Sequence, residues 1–85
     1  MTFNYIVHSE PNNEIFARTC EIIETVYPEA NKKKLLVDVD GSQIQKYVTV
    51  KGTIKVINDY YVGYVGIKSD YELPEIPYRK VDIEL

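Results

Sequence analysis

Few side chains in this sequence could act as a nucleophile or a general base. His8 is the only histidine and Cys20 the only cysteine. A general base needs an orienting partner and a substrate cleft, and the residues around His8 suggest neither. Cys20 falls on the apolar stripe of a predicted helix, where a free cysteine packs as a small hydrophobe. We therefore expect that the protein is not an enzyme, and that Cys20 belongs to the core.

Two short stretches have the composition of ligand-binding loops but lack the required spacing. Asp38 and Asp40 precede Gly41, yet a calcium loop also needs a third oxygen ligand, a central glycine and a terminal glutamate. Gly63 and Gly66 do not form a phosphate loop, because Gly66 is not directly followed by a Lys-Ser/Thr pair. We expect a plain turn at the aspartates, with no metal and no cofactor. The serines fall in predicted turns without a Gly-x-Ser-x-Gly context: Ser9, Ser42 and Ser69.

Tyrosine is the residue type that points to a binding function. The chain has eight tyrosines, two phenylalanines and no tryptophan. Tyrosine suits protein interfaces because its ring can be buried while its hydroxyl stays hydrated. In an extended chain Tyr60, Val62 and Tyr64 project together, which would make a flat binding face. The predicted protein-binding residues are Tyr60, Tyr61, Tyr64 and Tyr78. The alternative is that the tyrosines replace phenylalanine in a small core.

Length and charge narrow the class of protein further. Eighty-five residues form a single domain, 1–85. The net charge is −3 with a pI of about 5.0, and the only basic cluster is Lys32-Lys33-Lys34. DNA binding requires many clustered basic residues, so DNA is not an expected partner. We see neither a secretory signal nor an apolar run near the roughly 20 residues that cross a bilayer. The expected location is the cytoplasm.

The apolar periodicity predicts one helix between strands. Alternation over residues 3–8 predicts a short strand. From 13 to 27 the apolar residues recur at three- and four-residue spacing, which predicts a helix that Pro28 ends. Phe16 and Ile23 lie seven residues apart on the apolar stripe, so we expect both to be buried against the sheet.

The second half of the chain alternates like a series of strands. Residues 34–40 predict a strand that ends at an Asp40-Gly41 turn. Alternation over 43–56 exceeds the roughly 3–10 residues of an ordinary strand, which predicts one continuous strand bent at Gly52. Further strands are predicted at 60–68 and at 80–85. The resulting order is β-α-β-β-β-β, an α+β fold with one N-terminal helix packed on a strongly bent, mostly antiparallel sheet or small barrel.

Two known architectures are similar to this order. Residues 13–85 resemble the Sm-like small barrels, including YolD-like bacterial proteins, although the strand at 3–8 is an addition. The second is a cystatin-like sheet, but Val48 stands where the Gln-x-Val-x-Gly hairpin of inhibitory cystatins has glutamine, so protease inhibition is not expected. The stretches that carry the first resemblance are Val37-Asp38-Val39-Asp40-Gly41, Lys51-Gly52-Thr53-Ile54 and Ile76-Pro77-Tyr78-Arg79-Lys80-Val81.

The expected function is that of a non-catalytic binding or regulatory module that contacts another protein or itself. An origin in a phage or another mobile element is part of this expectation, although no motif carries it. The Sm-like resemblance implies an alternative, an oligomer that binds a small nucleotide or RNA, although the acidic balance argues against RNA. A further alternative is a structural subunit of a larger particle.

Overall fold

The first strand and the helix follow the sequence pattern closely. A computed structural model describes residues 2–81. Strand β1 spans Phe3–His8 and helix α1 spans Asn13–Val26. Asn12 caps the helix, since its side-chain oxygen accepts a hydrogen bond from the backbone N–H of Ile15 at 2.9 Å. Both predicted elements are confirmed, and the helix ends one residue earlier than expected.

The remaining strands complete one mixed-length sheet. Its order is β2-β4-β5-β6-β1-β7, with β3 also paired to β4, and each of these pairs is antiparallel. The sheet is open and does not close into a barrel, so the open form of the predicted α+β fold is confirmed. The strands are β2 Asn31–Lys32, β3 Leu36–Val37, β4 Gln43–Thr49, β5 Gly52–Asp59, β6 Tyr64–Ser69 and β7 Arg79–Val81.

The predicted continuous strand over 43–56 is wrong, because these residues form the β4–β5 hairpin. Thr49 pairs with Gly52 across a two-residue turn, and Tyr47 pairs with Ile54. Paired residues share one face of a sheet, so the buried face switches from odd to even numbers at this turn. Val50 lies at the tip and is fully exposed. The alternation of apolar and polar residues continues through the turn, so the sequence pattern does not reveal the turn.

The predicted strand over 60–68 is also wrong in its first part, because residues 60–63 form a turn. The Asp59 carboxylate accepts hydrogen bonds from the backbone N–H groups of Tyr61 and Val62, both at 2.8 Å. The backbone carbonyl of Asp59 accepts another from Gly63 at 3.0 Å. Gly63 has a positive φ of 91°, which glycine adopts without strain. Strand β6 therefore begins only at Tyr64.

The edges of the sheet are shorter than predicted. Of the strand predicted over 34–40, only the two residues of β3 form a strand. The strand β2 was not predicted. A turn follows, in which Asp38 donates its backbone N–H to Ser42 at 2.8 Å and Gly41 has a φ of 90°, so the predicted Asp40-Gly41 turn is confirmed. Of the last predicted strand, β7 covers the beginning, while Ile83 and Leu85 lie outside the described residues.

The core lies between the helix and one face of the sheet. Phe16 and Ile23 are buried there as predicted, and Cys20 is buried between them. The segment between β6 and β7 covers the remaining side with Leu73 and Ile76. Within residues 2–81, no helix has the length and apolarity that crossing a membrane requires.

Candidate protein-binding surface

Two turns meet at one end of the sheet and expose apolar side chains. Ser42 links them, because its hydroxyl oxygen accepts a hydrogen bond from the backbone N–H of Tyr60 at 2.9 Å. The exposed fraction is 91% for Tyr61 and 64% for Val62. An exposed apolar cluster on a monomer is typical of an interaction site. We call this cluster the turn surface; it consists of Val39, Tyr60, Tyr61 and Val62.

The two tyrosines of the turn surface are held differently. The Tyr60 hydroxyl donates to the side-chain oxygen of Asn13 at 2.9 Å, and its ring lies close to Gly41. These contacts fix Tyr60 against the start of the helix. Tyr61 has only its backbone fixed, through the Asp59 carboxylate, and its ring projects into solvent. The Tyr61 ring is thus exposed on a turn whose backbone is fixed.

A buried asparagine holds together the elements beneath this turn. Asn58 is completely buried, and its side-chain oxygen accepts a hydrogen bond from the backbone N–H of Asn12 at 3.0 Å. Its amide group donates to the side-chain oxygens of Asn13 and Gln43, also at 3.0 Å each. A buried amide that is fully bonded orders its surroundings. Asn58 therefore ties the helix start to β4 and β5 directly beneath the turn surface.

The structure does not place the other two predicted tyrosines on this surface. Tyr64 starts β6 and is only 7% exposed. Its ring covers Gly66, since a Cβ atom at that glycine would lie 2.6 Å from Cε2 of Tyr64. Tyr78 is half-buried and packs against the core. The expected common projection of Tyr60, Val62 and Tyr64 is wrong, because the first two belong to a turn.

Several remaining tyrosines are core residues with paired hydroxyls. Tyr5 accepts a hydrogen bond from the backbone N–H of Leu73 at 2.8 Å, and Tyr27 donates to Glu75 at 2.7 Å. Tyr47 is completely buried and donates to Glu24 at 2.6 Å. The alternative prediction, that tyrosines replace phenylalanine in the core, thus holds for these three tyrosines. A tyrosine there supplies apolar area and satisfies a polar group at the core's rim.

The ionisable groups near the helix hold structure together rather than form a reactive centre. The Tyr47 hydroxyl, and then the Lys32 ammonium 3.0 Å away, hold the pKa of Glu24 below its usual value. Burial, and then the hydrogen bond to Glu24, raise the pKa of Tyr47. Burial raises the pKa of the Cys20 thiol, which keeps it in the unreactive protonated form.

A cleft at the opposite end of the sheet was not predicted from the sequence. Its volume is about 520 Å³, and it lies between the end of the helix, the β4–β5 turn and the segment after β6. Some of its polar groups bond to one another: the Tyr71 hydroxyl lies 3.2 Å from Thr49, and Tyr27 bonds to Glu75. Lys51 lies over the Tyr71 ring at 5.8 Å. These contacts reduce the number of polar groups that a ligand could use.

Asp38 and Asp40 lie in a turn, as predicted. Side-chain oxygens of Asp38 and Asp40 accept hydrogen bonds from the backbone N–H groups of Val39 and Ser42, at 2.7 and 2.9 Å. The contacts with Ser42 lower the pKa of Asp40. In the described part of the chain, no three His, Cys, Asp or Glu side chains group as a metal ion would require.

Comparison with known proteins gives no relative to reason from. The chain matches no family model, no curated protein and no solved structure. The resemblances to Sm-like barrels and to cystatins therefore stay predictions. A function has to be argued from the geometry of the turn surface itself.

Proposed function

We propose that the protein is a non-catalytic module that binds another protein through the turn surface. The observation that carries this proposal is the exposure of Val39, Tyr61 and Val62 on two touching turns. Binding energy at interfaces concentrates in a few anchors, among which tyrosine is enriched. Tyr61 suits that role because burying its ring on a partner removes a large apolar area from water.

The rigidity beneath the surface supports the same proposal. Asn58 and the Asp59 carboxylate fix the backbone of the turn before a partner arrives. A surface that is already ordered loses less conformational entropy on binding. Tyrosine adds to this advantage, since its side chain has only two rotatable angles to restrict.

The charges around the turn surface indicate the chemistry of the partner. Asp38, Asp40 and Asp59 lie on the two turns that carry it, and the whole chain has a net charge of −3. Complementary charges steer association and exclude wrong partners. The partner that fits is a protein with a shallow apolar recess and basic residues at its rim. Five other expectations stay predictions: a nucleotide or RNA ligand, a role as a subunit of a particle, a regulatory role, an origin in a mobile element and a cytoplasmic location.

Site-specific photo-crosslinking tests the proposal. A photoreactive phenylalanine analogue replaces Tyr61 in one preparation and Val50 in the other, in a lysate of the cells that express the gene. Val50 is the matched control because it is fully exposed on the turn at the opposite end. We expect a specific protein adduct from position 61 and none from position 50. Equal adducts from both positions would contradict the proposed surface.

Affinity measurements with the captured and purified partner complete the test. Tyr61→Ala should weaken binding at least about tenfold, which corresponds to about 1.4 kcal/mol. Its unfolding free energy should stay within about 0.5 kcal/mol of the wild type, as for other exposed positions. Val50→Ala should change neither quantity. Normal partner binding by the Tyr61→Ala variant would remove the basis of the proposal.

A further inference from the structure

One edge of the sheet has backbone groups directed away from the rest of the protein. Asp38 donates its backbone N–H toward β4, to Ser42 at 2.8 Å, and Leu36 pairs with Ile44. Successive residues of an antiparallel strand direct their N–H and C=O groups to opposite sides. Val37 therefore directs its backbone groups outward. Within residues 2–81 no strand pairs with this outer side of β3.

The side chains of this edge are apolar and exposed. Leu36 is 47% exposed and Val37 is 63% exposed, and every residue from 31 to 40 is classed as exposed. An exposed edge with apolar side chains is a template for pairing with another chain. We call residues 34–38 the edge segment; it is separate from the turn surface.

The edge segment has a positive charge at its start and a negative charge at its end. Two copies that run in opposite directions can therefore place opposite charges side by side. Lys34 precedes the apolar residues Leu35, Leu36 and Val37, and Asp38 follows them. An antiparallel copy related by a two-fold axis at Leu36 places Lys34 opposite Asp38. It also places Leu35 opposite Val37, so that apolar residues face each other. Each of these pairs then occurs twice, as two-fold symmetry requires.

Other registers lose this match. Moving the copy by two residues in one direction places Leu36 opposite Asp38, and in the other direction it places Lys34 opposite Leu36. Each of these shifts loses the Lys34–Asp38 pair and sets Leu36 opposite a charged residue. Parallel pairing in register would place lysine against lysine. Of these arrangements, only the antiparallel one centred on Leu36 sets lysine opposite aspartate and apolar residues opposite each other within the edge segment.

We infer that two copies of this chain associate by antiparallel pairing of their edge segments around a two-fold axis at Leu36. Backbone hydrogen bonds and the apolar side chains supply the attraction. The lysine–aspartate pairs are exposed, where ion pairs contribute little to affinity, so their role is to select register and direction. The inference is independent of the proposed function, because it does not use Tyr61.

Charge-swap variants in sedimentation-velocity experiments at low salt test the inference. The wild type should show a dimer that grows with concentration. Lys34→Glu and Asp38→Lys each place like charges opposite each other twice, so each should weaken dimerisation about tenfold or more. The double variant Lys34→Glu/Asp38→Lys restores opposite charges and should return to within about threefold of the wild type. An equimolar mixture of the two single variants should also form a heterodimer.

The controls separate pairing from general charge effects and from the proposed function. Arg18→Glu makes the same change in net charge on an exposed residue of the helix, and it should dimerise like the wild type. Tyr61→Ala should do the same. Melting temperatures check folding of the variants, because Asp38 also bonds to the backbone of its turn. The mixing experiment provides a second check, since a misfolded chain would not be rescued by its complement.

Three results would overturn the inference. The first is a wild type that stays monomeric up to about 1 mM, a concentration at which even a Kd of 1 mM would produce dimer. The second is stronger association of Lys34→Glu, which would identify the lysines as protection against edge pairing. The third is failure of the mixed variants to associate when the wild type dimerises, which would place the interface elsewhere.

Discussion

The two ends of the helix are attached to the sheet by different chemistry. At its start, the buried amide of Asn58 bonds to Asn12, Asn13 and Gln43. In its last turns and beyond, tyrosine hydroxyls bond to carboxylates: Tyr47 to Glu24 and Tyr27 to Glu75. Amides carry no charge at any physiological pH, whereas carboxylates titrate in acid. The first attachment is therefore indifferent to pH, whereas the Tyr47–Glu24 bond of the second depends on it.

This difference bears on the proposed binding function. The turn surface lies above the amide attachment, through the contact of Tyr60 with Asn13. The contact between the helix start and the turn surface is thus made by uncharged groups, while the Asp59 carboxylate fixes the backbone of Tyr61. The other end of the helix, where carboxylates accept hydrogen bonds from tyrosines, also holds the cleft.

The strongest test of this comparison removes the amide attachment. Asn58→Ala should lower the unfolding free energy by about 3 kcal/mol, because three hydrogen bonds worth about 1 kcal/mol each are lost. Tyr71→Phe, at the opposite end, removes one half-buried hydroxyl and should cost less than about 1 kcal/mol. Urea denaturation measures both changes. Similar losses in the two variants would mean that the ends are equally fixed.

The turns at the two ends should also respond differently to a methyl group. Gly52 has a φ of 142°, and a Cβ atom there would lie 2.7 Å from Cβ of Asp70. Gly63 has a φ of 91° with no atom within 4 Å of an added Cβ. Gly52→Ala should therefore cost about 2–3 kcal/mol, through backbone strain and a clash, and Gly63→Ala about 1 kcal/mol through strain alone. Thermal unfolding of the two variants measures both losses of stability. A larger loss for Gly63→Ala than for Gly52→Ala would contradict the expected order.

The smallest expected effect concerns the pH dependence of the carboxylate attachment. The folded state lowers the pKa of Glu24, so its contribution is complete above its ordinary pKa of about 4.3 and is lost as the pH falls below it. The Glu24 side chain is 39% exposed, which limits the effect to less than about 1 kcal/mol. Glu24→Gln should destabilise the protein more at pH 7 than at pH 3.

A double-mutant cycle isolates the cause of that pH effect. Tyr47→Phe removes the hydroxyl that bonds to Glu24. In that background, Glu24→Gln should show a smaller difference between pH 7 and pH 3, measured by denaturation at both values. An unchanged difference would assign the pH dependence to another neighbour of Glu24, such as Lys32.

Periodicity predicted the elements whose pattern is local. The strand at 3–8, the helix and the Asp40-Gly41 turn each follow from residues close in sequence. The turn at Val50-Lys51 was missed because two residues fit an alternating pattern without interrupting it. The strand start at Tyr64 was misplaced because the preceding turn depends on one carboxylate, that of Asp59. Such a contact leaves no periodic trace in the sequence.

The proposed site was predictable only in part. Residue type identified Tyr60 and Tyr61, but Tyr64 has the same type and lies in the core. The Asn58 attachment could not be predicted, since its partner Asn12 lies 46 residues away along the chain. Adjacent turn-forming residues, Asn58-Asp59, were the one available signal that the next tyrosines lie outside a strand.

The position of β1 in the sheet has a consequence for the order in which the protein is synthesised and assembled. β1 lies between β6 and β7, with Tyr5 opposite Ile67 on one side and Lys80 on the other. β1 leaves the ribosome before the other strands of this sheet, yet both of its partners are translated after β5. The hairpins β4–β5 and β5–β6 need only neighbouring residues and close rapidly, whereas distant pairing is slow. We therefore expect the strand that is translated first to be among the last to find its place.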